Sequence, residues 1–176
     1  MNIETKRLSI TELTPDMAKS VHLNSLDNDN RRFVPDEVFK TMKAAEKAVA
    51  TLISYYGQPS KPQVYAILLK ENGQQIGHVQ AVPIKGEWEI GYHIAKTFAK
   101  KGYATEAVQA FLPEIMERLG IAEIYGICHA DNIASRKVLE KCGFYLIEQP
   151  KTLFKLLCSK LTFMRRWHRL SYVLQI

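Results

Sequence analysis

The stretch KTFAKKGYATEA, residues 96–107, sets two lysines and a glycine where an extended segment gives way to a helix. The first backbone N–H groups of a helix lack intrahelical acceptors and carry the positive end of its dipole, so such a junction can seat an anion. An ordinary solvated helix entrance has the same composition, and the rest of the chain must decide between the two. Several other chemistries lack their residues. There is no G-x-x-x-x-G-K-[ST] loop, no G-x-G-x-x-G after the first strand and no G-x-S-x-G elbow. His22, His78, His93, His129 and His168 form no H-x-x-x-H pair, and the cysteines form no C-x-x-C. Cys128 and His129 are neighbours on one strand and point to opposite faces, so no metal site is expected.

The elements around that junction follow from periodicity. ETKRLSITEL alternates as a first strand, with Leu8, Ile10 and Glu12 on one side. Thr14, Pro15 and Asp16 open a helix as cap, first helical residue and first-turn acid. Residues 24–36, containing DNDN, read as a loop or a short helical turn. A second helix is predicted from about Thr41 to Tyr55, with Ala45, Ala48, Val49 and Leu52 at helical spacing. QVYAILLK, ENGQ and QIGHVQAVPI then make a hairpin, and GEWEIGYHI a further strand. The helix after the lysines shows Val108, Phe111, Leu112, Ile115, Met116 and Leu119 on one face, with Pro113 expected to kink it. AEIYGICH is a strand, Asp131 or Asn132 caps the next helix, and FYLIEQ and WHRLSYVLQI close the chain as late strands. Strands and helices in this order imply a mixed sheet with helices on its faces.

A chain of 176 residues with 47% hydrophobic content suits one domain over residues 1–176. It contains no apolar run of membrane-spanning length, and residues 1–10 lack a signal-peptide core. Three cysteines, an odd number without a tight pair, suit a reducing compartment. A cytoplasmic protein, monomer or homodimer, without a membrane partner, is expected. The net charge of +6 favours an anionic partner. Part of it lies in residues 151–169, a nucleic-acid patch or a solvated face. With no nucleic-acid motif beside it, the solvated face is the expectation.

Two strand-to-helix junctions stand in succession, EIGYHIAKTFAKKGYATEA and YGICHADNIASRKVLEKCGF. Together they resemble the GCN5-related N-acetyltransferase (GNAT) superfamily, in its branch of ribosomal-protein N-terminal acetyltransferases. The likeness runs from TKRLSITELT, which is similar to the branch's Arg-Leu first strand, to KCGF. It implies an α/β (α+β) fold: a central mixed, mostly antiparallel sheet, its fourth and fifth strands splayed, with helices on both faces. Acetyl-CoA, as co-substrate, would enter that V and pair its pantetheine with the backbone of Ile90, Gly91, Tyr92, His93 and Ile94. The pyrophosphate loop would be Lys100, Lys101, Gly102, Tyr103, Ala104 and Thr105. Gly102 and Ala104 match the family pattern, whereas Ala99 replaces a polar residue and Lys100 stands where glycine is common.

The resemblance also gives Asn132 a contact with the pantetheine or thiol end of CoA, and sets Ser135 near the same end, where it can act as an acid towards the leaving thiolate. The residues alone make Asn132 a helix cap and Ser135 its first-turn partner. Leu139 occupies the position where many superfamily members carry a tyrosine. Glu89 is the first choice of general base, with Glu87 and His129 behind it; the alternative for Glu89 is a solvent-facing charge. The implied reaction is direct transfer of the acetyl group to a primary amine, a protein N-terminus or a small molecule. A CoA-binding module without turnover and a basic nucleic-acid-associated protein are the alternatives. Acceptor choice is expected from residues 24–39, including Asp27, Asp29, Asp36 and Glu37, and from the C-terminal segment.

Overall fold

Strand β3 (Gln63–Leu69) shows how this sequence builds its layers. Alternation sends Tyr65, Ile67 and Leu69 into one hydrophobic cluster and Val64 and Ala66 into another, so both faces of the sheet must be covered. A computed structural model describes residues 1–147 and 169–175 of the chain. The basic residues from Lys151 to Arg166 lie outside these described residues.

The other strands are β1 (Asn2–Glu4), β2 (Leu8–Glu12), β4 (Gln75–Ile84), β5 (Glu87–Ile94), β6 (Glu123–His129), β7 (Tyr145–Ile147) and β8 (Arg169–Gln175). They form one eight-stranded sheet in the order β1-β2-β3-β4-β5-β6-β8-β7. Every neighbouring pair is antiparallel except β5 and β6, which run parallel. The β4–β5 hairpin turns through Lys85 and Gly86, both at positive φ, the twist that a two-residue turn needs to match its strands.

Helices α1 (Ala18–Ser25) and α3 (Met42–Ser54) cover the face that bears Val64 and Ala66. Thr41 caps α3 by accepting the Ala44 N–H, as its position predicts. Residues 24–36 hold more helix than expected: α2 (Asn28–Phe33), capped by Asp27, and a 3-10 turn at Pro35–Glu37. Helix α4 (Tyr103–Leu119) lies on the opposite face, where Phe111 and Ile115 are fully buried. Each such side chain contributes about 1.5–3 kcal/mol of burial free energy. Helix α4 runs unbroken across Pro113. Pro113 sits on the exposed face, where water can satisfy the carbonyl left without its donor. Helix α5 (Ile133–Lys141) follows β6 and packs through Leu139. Among the described residues no helix is long and apolar enough to cross a membrane.

Candidate active site

The parallel strands part company early. β5 and β6 are in register only at Glu89–Tyr125 and Ile90–Gly126, yet β5 continues to Ile94 and β6 to His129. Among the described residues, β5 therefore has no strand neighbour on that side beyond Ile90, and its backbone edge is open. Leu139 packs at the apex of this V. A Cβ on Gly126 would stand 2.5 Å from Leu139 Cδ2, so glycine lets helix α5 seat there. Position 139 is thus a core seat, 1% exposed, and the hydroxyl of this region comes from elsewhere.

That hydroxyl belongs to Tyr92 of β5. Its OH donates to the Ser135 carbonyl at 2.9 Å and lies 2.9 Å from Ser135 Oγ. Burial raises the Tyr92 pKa and outweighs the Ser135 contact that lowers it, so the phenol keeps its proton. Asn132 is the N-cap of α5, accepting the Ser135 N–H at 3.1 Å. Cys128 lines the cleft, and burial pushes its thiol up to about 11.

The lysine loop has a definite shape. Lys100 has φ +64° and Gly102 φ +81°, so two left-handed residues flank Lys101. Glycine is the residue that adopts such angles at little cost, and Lys100 adopts one without that freedom. Gly102 is the N-cap of α4, and no side chain caps that helix. The N–H groups of Tyr103, Ala104 and Thr105 thus face outwards without intrahelical acceptors. Arg7 braces the loop from β2's approach. It donates to the Lys101 carbonyl at 2.9 Å, pairs with Glu106 at 2.6 Å and stacks 4.5 Å from the Tyr103 ring centroid. Glu106 also accepts from Thr5 Oγ1 at 2.7 Å, so the first-turn acid is held away from solvent-borne roles.

A polar wall stands on the α1/α3 side of β4 and β5. His78 and His93 are register partners, with ring centroids 5.8 Å apart. His93 Nε2 lies 3.0 Å from Asp27 Oδ2, and His78 Nε2 lies 3.6 Å from Glu37 Oε2. Gln80 donates to Glu37 Oε1 at 3.0 Å. Burial and the neighbouring His78 hold the His93 pKa below its ordinary value, although Asp27 and Glu37 pull the other way. Burial alone would raise Glu37, but its contacts and charge interaction with His78, with Gln80 and His93 behind, bring its carboxyl below the usual range.

The predicted residues fall into three places. Glu89, Ile90, Gly91, Tyr92, His93, Asn132 and Ser135 line one cleft of about 410 Å³. Ile94 pairs with Gly77 at the end of the β5 ladder. Lys100, Lys101, Gly102, Tyr103, Ala104 and Thr105 make the loop and first helical turn that follow β5, outside that lining. Of the reserves, His129 lines the cleft and Glu87 pairs with Ile84 at the hairpin. Asp29, Asp36 and Glu37 also line it, Glu37 being engaged by His78, whereas Asp27 is engaged by His93. Sequence reasoning missed the side chains of His78 and His93 as a pair, Glu37 as their partner, the Tyr92 hydroxyl and Arg7. The register of the two histidines was available, because counting back from a two-residue turn at Lys85-Gly86 sets His78 opposite His93. Among the described residues no three His, Cys, Asp or Glu side chains stand together as metal ligands.

These features fit acetyl-CoA. An open β5 edge suits the amides of a pantetheine arm, and the uncapped donors of Tyr103, Ala104 and Thr105, just after the left-handed Lys100 and Gly102, suit phosphate oxygens. The comparisons agree. The family model described as acetyltransferase (GNAT) domain matches residues 7–145. The chain is 30% identical over 145 residues to the uncharacterized N-acetyltransferase YnaD of Bacillus subtilis, covering 81% of this chain and 82% of that one. Among solved structures, a GNAT-family acetyltransferase from Bacillus anthracis superposes with a TM-score of 0.79 at 23% identity, covering 99% of this chain and 98% of that one. RimL, a ribosomal L7/L12 α-N-protein acetyltransferase solved with coenzyme A, gives a TM-score of 0.79 at 19% identity, over 100% of this chain and 98% of that one. With the splayed sheet and these matches together, the chain belongs to the GNAT acetyltransferase family and is an acyl-CoA-dependent acetyltransferase.

Proposed function

We propose that this enzyme passes the acetyl group of acetyl-CoA directly to a primary amine while both substrates are bound. The observation that carries the reading is a shared wall. Asn30, Glu37, Gln80, Val82 and His93 border both the cleft along the V and a second chamber under α1 and α3. A donor in the V and an acceptor from the chamber would meet there, which makes proximity a large part of the rate. Cys128 does not favour a covalent detour, since a buried thiol with pKa about 11 is a poor nucleophile near neutral pH.

Acetyl-CoA, when bound along β5 and at the α4 N-terminus, supplies an activated thioester. The roles left to the chain are proton handling and positioning. His93 can donate Nε2–H to Asp27, which leaves the lone pair on Nδ1, and burial favours the neutral ring. His93 is therefore the base, with Asp27 fixing its tautomer. Glu37 attracts the incoming ammonium form. Glu89, on the same face nearer the apex, is the second candidate for the base. The ammonium first gives one proton to solvent. As the neutral amine forms the C–N bond and the C–S bond breaks, its second proton goes to His93, and the Ser135–Tyr92 hydroxyl pair gives a proton to the thiolate and regains one from solvent. Backbone N–H groups of the open β5 edge can polarise the thioester carbonyl.

The test is calorimetry with acetyl-CoA followed by initial rates of thiol release with both substrates varied. Intersecting double-reciprocal lines are expected; parallel lines, or an acetylated Cys128, would exclude direct transfer. Binding without release against any amine would favour a CoA-binding module instead.

A further inference from the structure

The chamber of about 580 Å³ between α1, α3 and the β3–β5 face has a lining unlike that of the cleft. Leu13, Val21, Leu52 and Val64 make much of it apolar, while the titratable groups Glu37, His78 and His93 gather on the β4–β5 side and Lys47 stands apart on α3. Two physical facts restrict what can enter. A volume of this size suits a small molecule. An extended peptide would need partners for its main chain, since a buried amide left without a hydrogen bond costs on the order of 1–3 kcal/mol. The strands that floor the chamber offer few. β4 is hydrogen-bonded to β3 on one side and β5 on the other, so it presents no open edge for strand addition. Charge points the same way: the acid Glu37 stands where an ammonium group must arrive, at the wall shared with the cleft.

We infer that the acceptor is a small primary amine with an apolar alkyl or aralkyl body, which fills this chamber and presents its nitrogen at the Glu37–His93 wall. This rests on the direct-transfer reading above. It sets the acceptor apart from a protein N-terminus, whose successive main-chain amides would meet a mostly apolar lining with only scattered side-chain partners such as Asn24 and Gln75.

The experiment measures kcat/KM by CoA-thiol release for propylamine to hexylamine, phenethylamine, ethanolamine and a six-residue peptide with a free N-terminus. Values should climb about fourfold per added methylene, and phenethylamine should exceed ethanolamine and the peptide by about tenfold or more. Ala48→Trp, which puts bulk into the chamber from α3, should lower kcat/KM for hexylamine while leaving the acetyl-CoA Kd unchanged. A peptide or ethanolamine used as well as hexylamine overturns the inference, with direct transfer still standing. Acetyl-CoA binding with no turnover of any alkylamine also overturns it. Absence of acetyl-CoA binding by calorimetry fails the underlying reading instead. The wild-type series decides the matter even if the tryptophan variant does not fold.

Discussion

Asp27 serves two elements with one carboxylate: Oδ2 lies 3.0 Å from His93 Nε2 on β5, and Oδ1 accepts the Asn30 N–H that starts α2. The wall and the helix over it are thereby tied together. The pH consequence has a definite sign. The His93 pKa is lowered by burial, so the unfolded chain binds its proton more readily than the folded one, and stability rises with pH through this window. The contribution is complete above the usual His value of 6.5 and is lost progressively as pH falls below it. Asp27 and Glu37 are raised by burial but lowered further by their partners, and they add losses of the same sign at more acid pH. Thermal unfolding should therefore show Tm dropping between pH 7 and 5, and His93→Gln should flatten the part nearest 6.5.

Activity separates His93 from Glu89. Removing a general base costs on the order of 10² to 10⁴ in rate. His93→Gln should lose that much kcat and erase the acid limb of the pH–rate profile. Glu89→Gln should leave the limb in place. An unaltered limb in the His93 variant, and a lost one in the Glu89 variant, would return the role to Glu89.

Arg7 reaches the lysine loop across most of the sequence, through Glu106, the Lys101 carbonyl and the Tyr103 ring. Its side chain is 42% exposed, so solvent screens the ion pair, and its loss should cost stability about 1 kcal/mol or less. Acetyl-CoA binding should suffer more than stability does, because the carbonyl it holds shapes the turn between Lys100 and Gly102. Arg7→Met should weaken the calorimetric Kd by about tenfold, on the order of a charge-assisted hydrogen bond. An unchanged Kd would mean the loop holds its shape without the brace.

Lys100 poses a cleaner question. A non-glycine residue at φ +64° carries about 1–2 kcal/mol of strain. Lys100→Gly relieves it but gives the unfolded chain about 0.4–1 kcal/mol of extra freedom. Stability by denaturant unfolding should thus stay level or rise by about 1 kcal/mol. Acetyl-CoA affinity should fall at low salt and depend less on ionic strength, since one cation beside the anion cradle has gone. Equal salt slopes for the two proteins would show that Lys100 does not face the phosphates.

The parts of this site written in local residue patterns were the parts readable from sequence. KKGYATEA announces an uncapped helix start, and DNIAS announces the Asn132 cap, because both depend on neighbours a few residues apart. The β4–β5 strands were equally legible from alternation and turn chemistry. What alternation could not supply was the company each side chain keeps across long separations. His93 needs Asp27, 66 residues away, and Arg7 needs Glu106, 99 residues away. The polar run at residues 24–36 has no apolar period, so it read as a loop or a short helical turn, and the Asp27 cap holds part of it as the six-residue α2. Leu139 read as a missing tyrosine, when a packing contact with Gly126 accounts for it and Tyr92 brings a hydroxyl to Ser135 from the neighbouring strand.

Gly91 links the donor strand to the polar wall. It faces Gln80 across the β4–β5 ladder, and the Gln80 side chain lies over it on the way to Glu37. A Cβ at Gly91 would stand 2.7 Å from Gln80 Nε2 and 2.9 Å from its Cγ, too close for either to remain. Gln80 is a side chain rather than backbone, so it can swing aside, and the fold should survive Gly91→Ala with a loss of about 1 kcal/mol. Its hydrogen bond to Glu37 should not survive. One restraint on Glu37 then goes while the His78 contact stays, so the carboxyl should titrate higher than in the parent protein. The expected result is a several-fold rise in KM for the amine with little change in the acetyl-CoA Kd, and Gln80→Ala should reproduce it without touching β5. If Gly91→Ala instead raises the acetyl-CoA Kd and Gln80→Ala does nothing, the glycine serves the close approach of CoA to β5 and not the positioning of Glu37.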